Sequence, residues 1–452
     1  MKRLLFLLAA AAFCMGFAAT SVWAFKPGLP VKEIRFLGDV SSVDVAVKEG
    51  HAQVINKVDA QTKGGQWAVG QAKKLGVKLS GKTVVYDITA VETTQDIAGV
   101  EFPVWAFVPT NKVKIASDGS GKVEGYKNPH GPVPGPTIIA DEGDIVRVIM
   151  RNRSKNNHTI HIHGPTIINY THDGTMNVAQ VPVKPDEEFT YEFVASPVGT
   201  HIYHCHVNAN EHMDMGLYGS IIIHSKNEEK VDQDLLVMLD EWDSKFSKEE
   251  GFAPTTAATK QSVEVGHPRN IGHYNLFTIN GNAWTDEYPN VIAAQQGQKI
   301  RVRFVNMGSW PHNIHLHGHT LHWVAWDGRN VPPYNNKISD NDMRSDSVSI
   351  LPGERKDYIF EANQDGRWVW HCHIVAHATN DGVYHGGLLM AVVYLHPKKG
   401  GQGPYGGVLD GSGIDLDAYP LGKPTKIGAK PFDAVDASDV EQRDAKKVVQ
   451  KK

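Results

Sequence analysis

PTIIADEGDIVRVIMRNRSKNNHTIHIHGPT, residues 136–166, is the stretch from which the rest of the chain is read. Its middle, Ile145-Val146-Arg147-Val148-Ile149-Met150, follows the turn signal Glu142-Gly143-Asp144. A run of this length, rich in β-branched residues and bounded by a glycine turn, predicts a strand. The stretch closes on His158, His161 and His163, spaced His-x-x-His-x-His-Gly. It returns as PNVIAAQQGQKIRVRFVNMGSWPHNIHLHGHT, residues 289–320, with His312, His315 and His317. A second motif repeats in register: GTHIYHCHVNANEH at 199–212 and GRWVWHCHIVAH at 366–377. Short strands recurring twice in the same order predict an all-β protein of two related sandwich domains, 82–226 and 231–397. Asp232–Trp242 is expected to open the second.

Outside the repeat the chain carries less chemistry. Lys2 and Arg3 precede a mostly apolar run, and Ala24 ends Val22-Trp23-Ala24, so residues 1–24 are expected to be a cleaved export signal. Residues 25–81 form an N-terminal extension, in which the polar stretch 43–74 predicts helix. From 398 to 452 the sequence is rich in Gly, Pro and charge and is expected to be an extended tail. With 46 basic and 50 acidic residues in 452, the charge balance offers no footprint for nucleic acid. After signal removal no segment is apolar enough to span a membrane. An exported protein, periplasmic or secreted, is the expectation.

Histidine is the outlier, at 23 residues, and cysteine is scarce, at three. Cys14 lies in the signal. Cys205 and Cys372 each sit between two histidines, as His204-Cys205-His206 and His371-Cys372-His373. One disulfide is the ordinary fate of two cysteines in an exported chain, but a disulfide has no need of flanking imidazoles. On a strand alternate side chains share a face. Each His-x-His and each His-Cys-His therefore projects two imidazoles together, with the cysteine on the opposite face. Eight imidazoles result, a neutral nitrogen-donor set suited to three copper ions, and each thiolate with two imidazoles suits a trigonal blue copper site. A lone His-x-His is commonly structural, and zinc could explain one Cys/His group; neither explains the same spacings twice in register.

These motifs resemble those of the multicopper oxidases, over about residues 82–397. The resemblance implies cupredoxin-like Greek-key domains in a two-domain, small-laccase-like arrangement. It implies type 2 copper on His161 and His315. A type 3 pair would lie on His163, His204, His206, His317, His371 and His373. Type 1 copper would lie on His158, Cys205 and His212, and again on His312, Cys372 and His377. Asp173, in an Asp-Gly pair, matches the carboxylate that assists proton delivery in the family, although Asp-Gly is also an ordinary turn. Reaction partners would be dioxygen and a reducing donor, either a small substrate (a phenol or metal ion) or a redox protein. Only ten methionines occur, without a Met-rich insert, which speaks against a dedicated Cu(I) oxidase.

Two departures from the pattern matter. His212 follows Cys205 by seven residues, whereas His377 follows Cys372 by five. The axial position of the first site then falls on Leu217, with Met215 competing, and that of the second shifts towards Leu388; either leucine could equally be core. One of the two type 1 sites could also be vestigial. The competing function is a copper nitrite reductase, which shares the two-domain plan. That family lacks the second histidine of the first His-Cys-His and the second-domain cysteine, both present here. Because each domain supplies four cluster histidines, the cluster is expected between a first-type and a second-type domain, and the resemblance to two-domain members, rings of six cupredoxins built from three chains, implies a homotrimer with the cluster between neighbouring chains.

Overall fold

The computed structural model describes residues 33–57, 63–116, 121–126, 131–165, 170–244, 274–340 and 343–394. The expected signal at 1–24 and tail at 398–452 lie outside them.

The strands of the first half are β1 (Arg35–Phe36), β2 (Gly38–Asp39), β3 (Gln53–Ile55), β4 (Thr83–Ile97), β5 (Val100–Pro109), β6 (Val113–Ile115), β7 (Gly121–Val123), β8 (Ile138–Asp141), β9 (Ile145–Asn152), β10 (His161–His163), β11 (Glu188–Val194), β12 (Gly199–His204) and β13 (Tyr218–His224). The second half contributes β14 (Gln233–Trp242), β15 (Leu276–Ile279), β16 (Asn290–Ala294), β17 (Lys299–Asn306), β18 (His312–Leu316), β19 (Leu321–Trp326), β20 (Arg329–Asn330), β21 (Arg344–Ser345), β22 (Ser347–Ile350), β23 (Arg355–Glu361), β24 (Arg367–Cys372) and β25 (Leu389–Tyr394).

These strands form two sandwiches. In the first, the sheet β11-β9-β4-β3, with β5 on β4, faces the sheet β10-β12-β13-β8. In the second, β15-β14-β17-β23-β19-β20 faces β1-β16-β25-β24-β18-β22. The alternation read at 145–150 is realised in β9, where Val146, Val148 and Met150 are buried and Arg147, Ile149 and Arg151 are only partly so. Tyr86, Phe107, Phe193 and Tyr203 fill the first core; Phe304, Phe360 and Trp370 fill the second. Each such side chain contributes roughly 1.5–3 kcal/mol when fully buried. Among the described residues no helix is long and apolar enough to cross a membrane.

The N-terminal extension is part of both sandwiches. β1 pairs with β16 and β2 with β14 in the second, whereas β3 pairs with β4 in the first. The helix expected over 43–74 is two helices, Val43–Lys48 and Lys63–Leu75. Between them, β-branched Val54 and Ile55 favour pairing with β4 over helix.

A buried ion cluster joins the sandwiches. Arg303 has no exposed side-chain surface. Its Nε and Nη2 each donate to Asp234 at 2.7 Å, Nη1 donates to Asp357 at 3.0 Å, and Nη2 reaches Glu228 at 3.0 Å. Arg303 Nη1 also donates to Thr200 Oγ1 (3.1 Å), and Thr200 donates to Asp357 (2.7 Å). Thr200 lies on β12, the strand that runs into His204, so the orientation of β12 is tied to the second sandwich.

Candidate metal centres

Strand pairing assembles the histidines. In the antiparallel pair β10–β12, His161 is opposite His204 and Ile162 is opposite Tyr203. Ile162 and Tyr203 point into the core, so the histidines take the other face together with His163 and His206. Ring centroids place His161 4.8 Å from His163, 5.3 Å from His204 and 5.1 Å from His206. The second half repeats this: His315 is opposite His371, 5.0 Å from His317 and 5.5 Å from His373. All eight sequence-predicted imidazoles are thus present as two tetrads. Among the described residues no ring contact joins one tetrad to the other. His317 and His373 are exposed, whereas His204 is buried.

In each tetrad two of the four histidines have their outer nitrogen bonded to a backbone carbonyl. His204 Nδ1 lies 2.9 Å from the carbonyl of Cys205, and His371 Nδ1 lies 3.0 Å from that of Cys372. His161 Nδ1 lies 2.6 Å from Asp173 O, and His315 Nδ1 lies 3.0 Å from Asp346 O. Donation to these carbonyls leaves Nε2 as the lone-pair nitrogen, the usual arrangement of a metal-binding histidine. Burial, with the neighbouring His204 and His161 adding to it, lowers His163 to about 3. Burial lowers His204 to about 4. Both are therefore neutral donors at ordinary pH.

Cys205 and Cys372 point the other way. Both are buried and unpaired. Cys205 Sγ lies 3.7 Å from His158 Nδ1 and 3.1 Å from His212 Nδ1, and those two nitrogens are 3.2 Å apart. In the second half Cys372 Sγ is 3.7 Å from His377 Nδ1, which is 3.1 Å from His312 Nδ1. Each group's ligand atoms lie within 4.8 Å of one another. Burial pushes both thiols up to about 11 and holds His158 and His312 near 3. The two Nδ1 atoms of each pair lie within hydrogen-bond distance of each other, and a cation between them would take a lone pair from each. One thiol and two neutral imidazoles fit copper, whose binding would displace the thiol proton.

The spacing difference after the cysteines has a structural cause. A helical turn, Ala209–Asp214, carries His212 where the second half has the shorter turn Val375–Ala378. Past the histidine the halves coincide. Leu217 O accepts Cys205 N (2.9 Å) and Leu388 O accepts Cys372 N (3.0 Å), and both leucines are fully buried. Met215 instead terminates the helical turn, its N–H bonded to Glu211 O.

Asp173 lies beside His161, its Oδ1 3.5 Å from Nδ1, and its Oδ2 accepts from Thr175 Oγ1. Gly174 has φ +82°, and a Cβ there would lie 2.0 Å from Ile160 O. The Asp-Gly pair is therefore pressed against the backbone leading into β10, which explains the glycine better than a free turn does. Asp346, which holds His315 in the same manner, was not singled out from sequence. Nor was Glu241, whose carboxylate is 3.1 Å from His312 Nε2.

Comparison with known proteins bears on the whole arrangement. Two family models described as multicopper oxidase match residues 115–228 and 253–385, together more than half of the chain. A blue copper oxidase from Nitrosomonas europaea is 29% identical, covering 74% of this chain and 92% of its own, with a TM-score of 0.56. Laccase-2 of Botryotinia fuckeliana is 30% identical over 53% of this chain and 40% of its own. A copper nitrite reductase from Nitrosomonas europaea, at 21% identity and a TM-score of 0.51, covers 69% of this chain and 94% of its own, and bears on the fold alone. The chain spans about 40% of the length of the curated relatives it matches first.

Proposed function

The chain belongs to the multicopper oxidase family, and on that premise we propose that it is an exported, laccase-like oxidase coupling one-electron oxidation of a reducing donor to reduction of dioxygen to water. Bound copper would supply the one-electron acceptors at the two Cys/His groups and the dioxygen-reducing centre at the tetrads. The observation that carries the reading is the tripeptide His-Cys-His. In each half its thiol faces a buried imidazole pair and its two imidazoles face the opposite side. His158, Cys205 and His212, and likewise His312, Cys372 and His377, would hold type 1 copper. Leu217 and Leu388, whose carbonyls accept the N–H groups of Cys205 and Cys372, have no donor atom to offer that copper, which would favour a raised reduction potential. His161 and His315 would hold type 2 copper, with the other six tetrad histidines holding the type 3 pair.

The chain's own residues would do three further things. The tripeptide backbone joins each thiol covalently to its tetrad, giving a short electron route. Asp173, beside His161 and oriented by Thr175, would supply protons, four of which are consumed with each dioxygen. A copper-replete Asp173→Asn protein should keep its metal and its blue absorption yet reoxidise with dioxygen about a hundredfold more slowly; an unchanged reoxidation rate would remove the role.

Completing the cluster requires a second copy. Each tetrad offers four of the eight imidazoles, and the second is exposed at His317 and His373. Exposed apolar residues sit close by in sequence: Tyr170, Val178 and Val181 flank Asp173, and Val375, Val383 and Tyr384 follow His373. Apposing the first tetrad of one chain with the second tetrad of the next would bury both rims. Repeated head to tail, this contact closes as a homotrimer with three clusters.

Metal analysis and an oxygen electrode test the function. The copper-loaded protein should hold five copper ions per chain and consume dioxygen when given a phenol, Fe(II) or another reducing donor. Release of nitric oxide from nitrite without dioxygen uptake would move the chain to the nitrite reductases.

A further inference from the structure

The two Cys/His groups stand on the same backbone frame. Ala90 on β4 pairs with Asn152 on β9, and Leu239 on β14 pairs with Asn306 on β17. Asn152 Nδ2 donates to Asn156 O and Val183 O; Asn306 Nδ2 donates to Trp310 O and Ile350 O. His158 and His312 follow their asparagines at the same spacing. The frame therefore matches Ser154 with Gly308, and Glu92 with Glu241.

At these matched positions the side chains do different things. In the first half Ser154 Oγ meets His158 Nε2, and Glu92 instead accepts Lys155 N at 2.9 Å. In the second half Glu241 accepts the N–H groups of Ser309 and Trp310 and lies 3.1 Å from His312 Nε2. Both side chains are completely buried. Gly308 makes room for this: a Cβ there would lie 1.9 Å from Glu241 Oε2. Hydroxyl against one histidine and carboxylate against the other follow from serine at one matched position and glycine at the other.

We propose that Glu241 is a positioning residue that makes the two mononuclear sites unequal, holding the second at a lower reduction potential than the first through its contact with His312. The proposal rests on copper occupying both sites, as read above. A carboxylate accepting an imidazole N–H raises the basicity of the ligating nitrogen. When ionised, it also places a negative charge, fully shielded from solvent, beside the ligating ring, and that favours the more positive oxidation state of the metal. Burial raises the Glu241 carboxyl to about 7, and the N–H groups of Ser309 and Trp310 act against that rise. At the first site a neutral hydroxyl supplies neither effect. One electron passes from donor to oxidised copper, and no bond is made or broken. The first site would thus accept electrons from weaker reductants, and the second would pass electrons on more readily.

Spectroelectrochemical titration of copper-loaded single-cysteine chains tests this. Cys372→Ser retains the first site and Cys205→Ser the second. The second site should titrate below the first by at least tenfold in the electron-transfer equilibrium constant, which is 59 mV for one electron. In the Cys205→Ser background Glu241→Gln should raise the midpoint by at least that factor. Gly308→Ser, which installs the hydroxyl of the first site and displaces the carboxylate, should raise it likewise. Equal midpoints in the two single-cysteine chains, or a midpoint unmoved by both substitutions, would overturn the proposal. Loss of blue colour from the Cys205→Ser chain would instead overturn the copper assignment at the second site, and the proposal with it. The two failures are distinct because only the first records a midpoint.

Discussion

Replacing His317 by alanine should abolish dioxygen reduction while leaving the fold and the blue absorption intact. His317 is exposed on the chain and belongs to the second tetrad, not to either Cys/His group. Its loss removes a ligand from the proposed cluster and no buried contact. Exposed substitutions away from caps and networks usually change stability by less than about 0.5 kcal/mol. Losing a partner outside the ligand shell already costs about 10–100-fold in metal affinity or activity, so losing a ligand should cost more than about a hundredfold. His161→Ala on the first tetrad should behave alike, with some added loss of local order because His161 Nδ1 is bonded to Asp173 O. Steady-state oxygen uptake, with absorption spectra and thermal melts of the same samples, would check both. A His317→Ala protein with undiminished turnover would remove this histidine from the centre.

Arg303→Met should unfold the protein more readily than any tetrad variant. The substitution keeps much of the volume but strips the positive charge from Asp234, Asp357 and Glu228. The first two acids are almost wholly buried. Removing one side of a buried ion cluster leaves uncompensated charge and costs about 3–5 kcal/mol. For domains of this size that corresponds to a fall in Tm of roughly 10 °C. Arg303 also holds Thr200, at the start of the strand carrying His204, so tetrad copper should be lost before the blue sites bleach. Calorimetry alongside metal analysis would show it, and a melt shifted by less than about 2 °C would mean that the cluster contributes little.

The histidine and cysteine groups were legible in the sequence because strand geometry converts spacing into direction. His-x-His and His-Cys-His needed only period two to place imidazoles on one face and thiol on the other, and the pairing of His161 with His204 follows once those strands are adjacent. The repeat supplied the plan of two sandwiches. What escaped were contacts between residues far apart in sequence. Glu241 meets His312, and Arg303 meets Thr200, across the fold, and no local period announces either. A signal did exist: QDLLVMLDEW, residues 233–242, carries Asp234, Asp240 and Glu241 in an otherwise apolar strand, and all three are buried. Acids inside such a run need partners. The extension at 25–81 looked peripheral because strands of two residues, such as β1 and β2, have no periodicity to detect.

The central claim is that chemistry encoded in one chain is completed by another, and one measurement tests it most directly. His161→Ala and His317→Ala chains would be expressed separately and together, loaded with copper and assayed for oxygen uptake. Each alone should be nearly inactive, since every head-to-tail junction carries a damaged tetrad. Mixed rings contain some junctions formed by the intact first tetrad of a His317→Ala chain and the intact second tetrad of a His161→Ala chain. Random assembly makes about a quarter of junctions intact, so about a quarter of normal activity should return, in a species of three chains by light scattering. No recovery on co-expression, or full activity in a copper-replete monomer of the unaltered chain, would contradict the account.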